Sequence, residues 1–462
     1  MMIEQDQKQA MLTFCGGAMG PTGSNFLFET EQKNILVDCG LFQGERINED
    51  KNDDPFLFDP KEIDVLFVTH AHLDHIGRIP KLVQEGFRGI IYSTPPTKDI
   101  TELMLEDSIR VLSRQAREHG MLPPYEEEDV RKIMKLWRTK EYHEGIALDD
   151  DTVVTFYDAG HILGSAMVEI TYNKKKILFT GDLGNTPAPL LHETEIPQDI
   201  SCLVMESVYG DRNHEDKEVR RQIVRQAILE TVKKSGTLMI PVFSIERTQE
   251  MLFELNHLVE NKEIPLVPVF LDSPLAIKVT DIYKRYQDYF NNKTLDIIAG
   301  GDDIFHFPML RFTESVEMSK AIAGVDGPKI IMAGSGMMNG GRISHHAKRY
   351  LSDPKNMLLL VGYQAAETLG RKLQDGEKKV EINDHNVTVR AKVATVHGYS
   401  AHKQSDDLLD FVAQLAESDE LRKVFVVLGE PRSSLFLSQK LRDYLDINAS
   451  SVRDGDSLDL LF

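Results

Sequence analysis

The chain predicts an α/β protein of layered sheets and helices, with one α/β domain inserted into another. Three observations point there. Short apolar runs dominate the chain as far as Glu206, a strict strand–helix alternation begins near Glu215, and strands return after Asn383. Short apolar runs bounded by turn residues read as buried strands, and longer segments of 3.6-residue period as helices. Sustained alternation of the two implies a parallel sheet covered by helices. A length of 462 residues, about three ordinary domain lengths, allows at least two cores.

Taken in order, "KNILVDCG" and "DVLFVTH" read as buried strands ending in polar residues. "AMVEITYNKKKILFTGDLG" reads as a hairpin turning at Tyr172-Asn173-Lys174, and "CLVMESVYG" as a strand ending at Glu206. The helix "EDKEVRRQIVRQAILETVKKSG" closes at Gly236 and is followed by the strand "TLMIPVF", a helix from Glu246 and the strand "LVPVFLDSP". A helix over 275–290, the strand "KIIMAGSG", the helix "GGRISHHAKRYL" and the strand "NMLLLVGY" continue the alternation. After Asn383 come strands in "VTVRAKVATV" and "KVFVVLGE", with helices between and after them. The expected division is a first domain over 1–206, an insert over 207–390, and the rest of the first domain over 391–462.

Composition narrows the function. A formal net charge of −20 argues against a basic surface that coats nucleic acid, but leaves room for a local cleft. No apolar run approaches the roughly 20 residues of a membrane span, and the N-terminus has no secretory pattern, so no membrane association is expected. Cys15, Cys39 and Cys202 are too few and too scattered for a disulfide framework. The expectation is a soluble protein of the cytoplasm, and a homodimer is compatible with it.

His70, His72, Asp74 and His75 stand in the order H-x-H-x-D-H just beyond a strand. Residues i and i+2 there point the same way, so His70 and His72 can grip one ion while Asp74 and His75 turn toward a neighbouring position. Neutral imidazole and carboxylate suit zinc, and a catalytic zinc keeps one position open for water. His161 lies in "DAGHILGSA" and Asp182 in "FTGDLGN", where Gly181 and Gly184 permit a close backbone approach. Asp38, ending "ILVDCG", either orients a ligand histidine or caps a turn. Strand ends converge on one edge of a sheet, so together these residues form a site where singly they are loop residues.

"VTHAHLDH", "DAGHILGSA" and "TGDLGN" match in order the signature of the metallo-β-lactamase fold hydrolases, and the chain resembles them. "MESVYGDRNH", "FLDSPLA", "AGSGMMNGGRISHHAKRYL", "VGYQAAETLGRKL" and "HGYSAH" resemble the β-CASP branch, RNA-cleaving enzymes related to the endonuclease subunit of eukaryotic messenger-RNA 3′-end processing. The similarity runs from about Gly16 to Arg442. It implies an αββα sandwich carrying an inserted β-CASP domain. It also implies a first zinc on His70, His72 and His161, and a second on Asp74 and His75, with Asp182 bridging. Glu206 would order the hydrogen bonds of the metal site, and His402, in "SAH", would be the general acid. A hydroxide held by the metals would then attack phosphorus, and an imidazole on the far side would protonate the leaving oxygen. Asp74, Glu206 and His402 are thus the implied catalytic residues.

One departure stands out. The family pattern carries a histidine before "GE" as a ligand of the second zinc, and here Leu428 occupies that position in "VFVVLGEP". Leucine has no lone pair, so one zinc is expected at the first site and an impaired second site, with manganese as the alternative metal. His397, in "VATVHGYS", either substitutes for the missing ligand or is an ordinary strand-end histidine. For RNA, "SGMMNGGRISHHAKR" offers glycine-flanked amides before a helix, a phosphate-binding concavity, or else an ordinary loop. Ser335, Gly336, Arg342 and Lys348 are the expected contacts there, with Arg371 as a further one.

The function expected is a zinc-dependent ribonuclease that hydrolyses phosphodiester bonds of single-stranded RNA by metal-hydroxide attack. Two other readings compete. Leu428 favours a catalytically weakened homologue acting as an RNA-binding or partner subunit. A small-molecule metallo-hydrolase on the same scaffold is disfavoured by the long insert and by His402, neither of which a small substrate needs.

Overall fold

The structure, a computed structural model, describes residues 9–44, 50–118, 123–214, 217–365, 367–396 and 398–461. They form two compact units, one running to Asn213 and resuming at His402, the other spanning His214–Ala401.

The first unit holds two seven-stranded sheets. One runs in the order Ser457–Leu461, Gln9–Gly16, Asn25–Glu29, Asn34–Val37, Val65–Phe67, Ile90–Ser93, Trp137–Thr139. The other runs Ala449–Ser451, Lys423–Val427, Cys202–Glu206, Lys175–Phe179, Ala166–Tyr172, Thr152–Asp158, Ile146–Ala147. Their inner faces meet in one apolar core. Three aromatic pairs bridge it: Phe14 with Phe425 (centroids 5.4 Å apart), Phe26 with Phe179 (6.0 Å) and Phe67 with Phe156 (5.9 Å). Such pairs contribute about 0.5–1.5 kcal/mol each beyond the area they bury.

Alternate residues of the same strands face outward onto helices, as a period of two requires. Leu36, Leu66 and Ile91 pack on Ile79, Leu82, Val130 and Ile133. Leu178, Leu203 and Val424 pack on Leu408, Phe411, Leu437 and Leu441. The result is the αββα sandwich. The hairpin turns where expected, Tyr172 pairing with Lys175 across Asn173 and Lys174, both at positive φ.

The strands Asn34–Val37 and Val65–Phe67 run parallel. So do Lys175–Phe179, Cys202–Glu206 and Lys423–Val427, and two antiparallel pairings give Thr152–Asp158 the same direction. Their carboxyl ends deliver Asp38, His70, His161, Asp182, Glu206 and Leu428. Two glycines let these loops touch. A Cβ on Gly40 would lie 1.5 Å from the Asp74 carbonyl oxygen, and one on Gly184 would lie 1.8 Å from that of Gly160.

The second unit is built on a six-stranded parallel sheet in the order Leu310–Phe312, Val269–Asp272, Lys329–Ala333, Thr237–Pro241, Met357–Leu360, Lys392–Thr395. Its inner strands are buried along their whole length, the pattern of a sheet covered on both faces. Here the division differs from the one expected. "VTVRAKVATV" is two strands: His385–Thr388 pairs with Lys379–Ile382, and Lys392–Thr395 joins the parallel sheet. The break comes where the amides of Arg390 and Ala391 both turn to the Leu351 carbonyl. Residues 391–401 therefore belong to the second unit, where the sequence puts them in the first. Residues 207–213 stay with the first unit, whose Ser207 hydroxyl is bonded to the Val427 carbonyl and to Ser434.

Cys15, Cys39 and Cys202 are buried free thiols. Among the described residues no helix is long and apolar enough to cross a membrane.

Candidate metal centre and active site

The loop after Val65–Phe67 brings His70 and His72 to the sheet edge, and the loops carrying His161 and Asp182 meet them there. His72 Nδ1 lies 3.1 Å from His70 Nε2 and 3.3 Å from His161 Nε2. Asp182 Oδ2 lies 3.4 Å from His70 Nε2 and 3.5 Å from His161 Nε2. An ion held at about 2.0–2.1 Å by tetrahedral ligands sets those ligands roughly 3.3–3.4 Å apart. The four atoms thus span the edges of a zinc-sized polyhedron, and the donor set fits a divalent cation.

Three ring nitrogens facing one another at this spacing need a proton or a cation between them. Burial, reinforced by the neighbouring histidines, holds His72 and His161 well below the ordinary imidazole range. They are neutral, with lone pairs to offer.

Asp38 sets the histidine tautomers. Its carboxylate can only accept, so the His75 Nδ1 that lies 2.6 Å from Oδ2 carries the proton. The Thr69 hydroxyl, 2.9 Å from the same oxygen, donates its single proton to Asp38. It must then accept from His70 Nδ1, 3.0 Å away. Both arrangements turn Nε2 toward the site. Asp38, wholly buried and at φ 60°, also accepts from Ser24 and from the Thr69 amide. Thr69 escaped the sequence reading. The β-branched hydroxyl just before His70 was its one local sign.

His75 Nε2 is buried, makes no hydrogen bond, and stands 3.4 Å from Asp182 Oδ1. The two oxygens of Asp182 therefore face different partners, Oδ2 the first set and Oδ1 His75. Burial opposes charge on His75, but Asp182 and Asp38 outweigh it and hold this imidazole well above its usual range. A cation against Nε2 would replace that proton. Asp74 is half-buried, and burial raises its carboxyl. Among the described residues, the groups spaced to hold an ion are His70, His72, His161 with Asp182, and Asp182 with Glu206 and His402. Asp74 and His75 do not form a third.

Glu206 is fully buried and accepts from the amides of Leu183 and Val208 (2.6 and 3.3 Å). Its Oε1 also lies 3.3 Å from His402 Nδ1. It thus ties the Asp182 loop to His402, whose ring is 4.7 Å from that of His161. Burial works against charge on His402, yet Glu206 and Asp182 raise it to about 9. The adjoining Lys403, which the sequence did not single out, fixes this segment. Its amide bonds the Leu183 carbonyl, and its buried ammonium bonds Gly184 O and Thr186 Oγ1, each at 3.0 Å.

Leu428 is 1 % exposed, within the inter-sheet core, at φ 50° with its amide on the Gly17 carbonyl. Its side chain offers nothing to an ion. His397 lies outside the described residues.

The remaining expected contacts lie in the second unit. Ser335 and Gly336 open the loop before the helix Gly341–Tyr350, and Lys348 is half-buried on that helix. Arg371 is exposed and pairs with Asp375 at 2.9 Å. Arg342 stands at the start of the Gly341–Tyr350 helix. Its guanidinium bonds Asp272 Oδ1 (2.7 Å) and the carbonyls of Thr313 and Glu314 (2.7 and 2.8 Å). These bonds tie it to the loop at 313–314, as Asp375 holds Arg371. Asp272 gathers Thr313, Ser319 and His346 as well.

Three family models match the chain. They are the Metallo-beta-lactamase superfamily over residues 20–201, the Beta-Casp domain over 248–373, and the Zn-dependent metallo-hydrolase RNA specificity domain over 386–451. The chain is 38% identical over 429 residues to Ribonuclease TTHA0252 of Thermus thermophilus, covering 92% of this chain and 94% of that one. It is 32% identical over 442 residues to an RNase J-like protein of Methanocaldococcus jannaschii, covering 95% and 96%. Similarity to the transcription termination factor FttA of Methanosarcina mazei is 31% over 470 residues, covering 97% and 71%. A crystal structure of a protein of unknown function from Enterococcus faecalis shares the fold, with a TM-score of 0.57 at 12% identity over 98% of this chain and 100% of that one.

Proposed function

The chain belongs to the metallo-β-lactamase superfamily, in its Beta-Casp branch, and from that premise we propose a metal-dependent ribonuclease that hydrolyses phosphodiester bonds of single-stranded RNA. The observation that carries the reading is the convergence of His70 Nε2, His72 Nδ1, His161 Nε2 and Asp182 Oδ2, with the Glu206–His402 pair beside it.

In this reading His70, His72, His161 and Asp182 hold the first ion, for which zinc fits the donor set best and manganese is the alternative. A divalent ion bound there supplies a Lewis acid and a water acidified toward neutrality. Asp38 holds His75 by hydrogen bond, and His70 through Thr69, with their lone pairs aimed inward. Glu206 fixes the Asp182 loop through the Leu183 amide and orients His402. His402 keeps 23 % of its side chain accessible, so a departing RNA oxygen can reach it and take its proton. Ser335, Gly336, Arg342, Lys348 and Arg371 are proposed to contact RNA, on the Gly341–Tyr350 helix and the loops beside it. The setting is the cytoplasm, where such a substrate is met.

Leu428 supports a weaker second site. Asp74, His75 and the shared Asp182 offer that ion too few donors, so a catalytically weakened homologue is the second reading. The small-molecule reading finds no support, since the Beta-Casp model matches 248–373 of the insert and an RNA specificity model matches 386–451.

His402→Ala tests the assignment. We expect turnover on single-stranded RNA to fall roughly 10²–10⁴-fold with metal content near that of the unaltered protein. A large loss of bound metal would make His402 a ligand and overturn its role as the acid.

A further inference from the structure

We propose that Phe243 is a stacking platform for a nucleobase of single-stranded RNA, built into the carboxyl edge of the second unit's sheet. The inference rests on the ribonuclease reading and adds a contact that it does not supply. Phe243 follows the strand Thr237–Pro241, Gly336 lies just beyond Lys329–Ala333, and Gly362 just beyond Met357–Leu360. These three strands are neighbours in the parallel sheet. Ligands of open parallel α/β sheets bind outside the carboxyl ends of the strands.

The ring is seated against backbone on one face and keeps 38 % of its surface exposed. A Cβ built on Gly336 would lie 2.5, 2.6 and 2.8 Å from Cδ2, Cε2 and Cγ of Phe243. Three consecutive ring atoms come that close only to an atom above the ring plane, so the Gly336 backbone covers one face. A Cβ on Gly362 would lie 3.7 Å from Cε2. The buried Gln364 amide ties both glycines together, donating to the carbonyls of Gly336 (3.1 Å) and Gly362 (3.3 Å). The Thr248 hydroxyl holds the Phe243 carbonyl at 2.6 Å.

With its seat fixed this way, Phe243 is still 38 % exposed, and Tyr363 beside Gly362 is 46 % exposed. An apolar ring at a ligand-binding edge, braced on one face by backbone and still more than one-third exposed, suits a flat apolar partner. The loop carries backbone amides, and the Gly370 amide, next to Arg371, bonds the Met337 carbonyl. Every base has a π-face, so the contact would favour unpaired strands over duplex without reading sequence.

The test is binding of a short phosphorothioate RNA carrying 2-aminopurine, followed by fluorescence, with the full chain. The unaltered protein is expected to quench the 2-aminopurine. Phe243→Ala should abolish the quenching and weaken affinity roughly 5- to 150-fold, while Phe243→Trp preserves both. Gly336→Ala, whose new methyl would displace the ring, should imitate Phe243→Ala. An oligonucleotide that is abasic throughout should bind the unaltered protein and Phe243→Ala alike. If the unaltered protein binds and quenches but Phe243→Ala does so equally well, the platform is refuted and the ribonuclease reading stands. If the unaltered protein binds no single-stranded RNA, both fall.

Discussion

Replacing Asp272 by asparagine should loosen the second unit by an amount that the structure lets one work out. The carboxylate is fully buried at the end of Val269–Asp272 and accepts from Arg342, His346, Thr313 and Ser319 at 2.6–2.7 Å. Burial alone would raise its pKa, but these four donors outweigh burial and bring it from 3.8 down to about 2. A depression of that size is equivalent to about 2.5 kcal/mol of folding free energy at neutral pH. Donors left poorly matched by the amide add to this, so the total loss should be about 3–5 kcal/mol. The sign follows from the direction of the shift. The folded-state value lies below the unfolded one, so the contribution is complete above about pH 4 and disappears as pH falls through 2. At pH 3 about 1 kcal/mol of it should already be gone. Hydrogen exchange of the amides in Val269–Asp272 reads the local opening energy, which the chain's single tryptophan, Trp137 in the first unit, cannot report. Equal protection in the two proteins at pH 7, or a gap that does not narrow at pH 3, would refute the reasoning.

Two further outcomes are expected. Leu428→His should raise zinc content toward two ions per chain and increase RNA cleavage, and metal analysis giving two ions in the unaltered protein would show that the leucine costs no ligand. Asp38→Asn exchanges one of the two accepting oxygens for an NH2 donor, so His75 and, through Thr69, His70 can no longer both be fixed; metal affinity should fall roughly 10- to 100-fold, and unchanged affinity by competition with a chelating dye would exclude Asp38 from orienting the ligands.

The sequence is most informative where chemistry is packed into consecutive residues. His70, His72, Asp74 and His75 stand within six positions, and the strand ends at 161 and 182 converge because parallel strands leave their loops on one edge. Long-range pairing is where it is silent. The bond from Arg342 to Asp272 spans 70 residues and leaves no sign in the local pattern. The run "VTVRAKVATV" looks like one strand because its apolar spacing is the same for a hairpin and a parallel edge; the Leu351 carbonyl, captured by two amides, decides the break. Thr69 acts through a single hydroxyl proton, which no spacing reveals. Phe243 reads as the end of the strand "TLMIPVF" until the fold sets Gly336 against one face of a ring that is still 38 % exposed.

The central claim is that an ion held by His70, His72, His161 and Asp182 makes this chain a ribonuclease. Cleavage of end-labelled single-stranded RNA by chelator-stripped protein, before and after titration with zinc or manganese, tests it most directly. Stripped protein is expected to leave the RNA intact, reloading with either metal to restore cleavage, and Asp182→Asn to show no recovery. Metal-free protein that cleaves at the full rate, or reloaded protein that leaves the RNA intact, would contradict it.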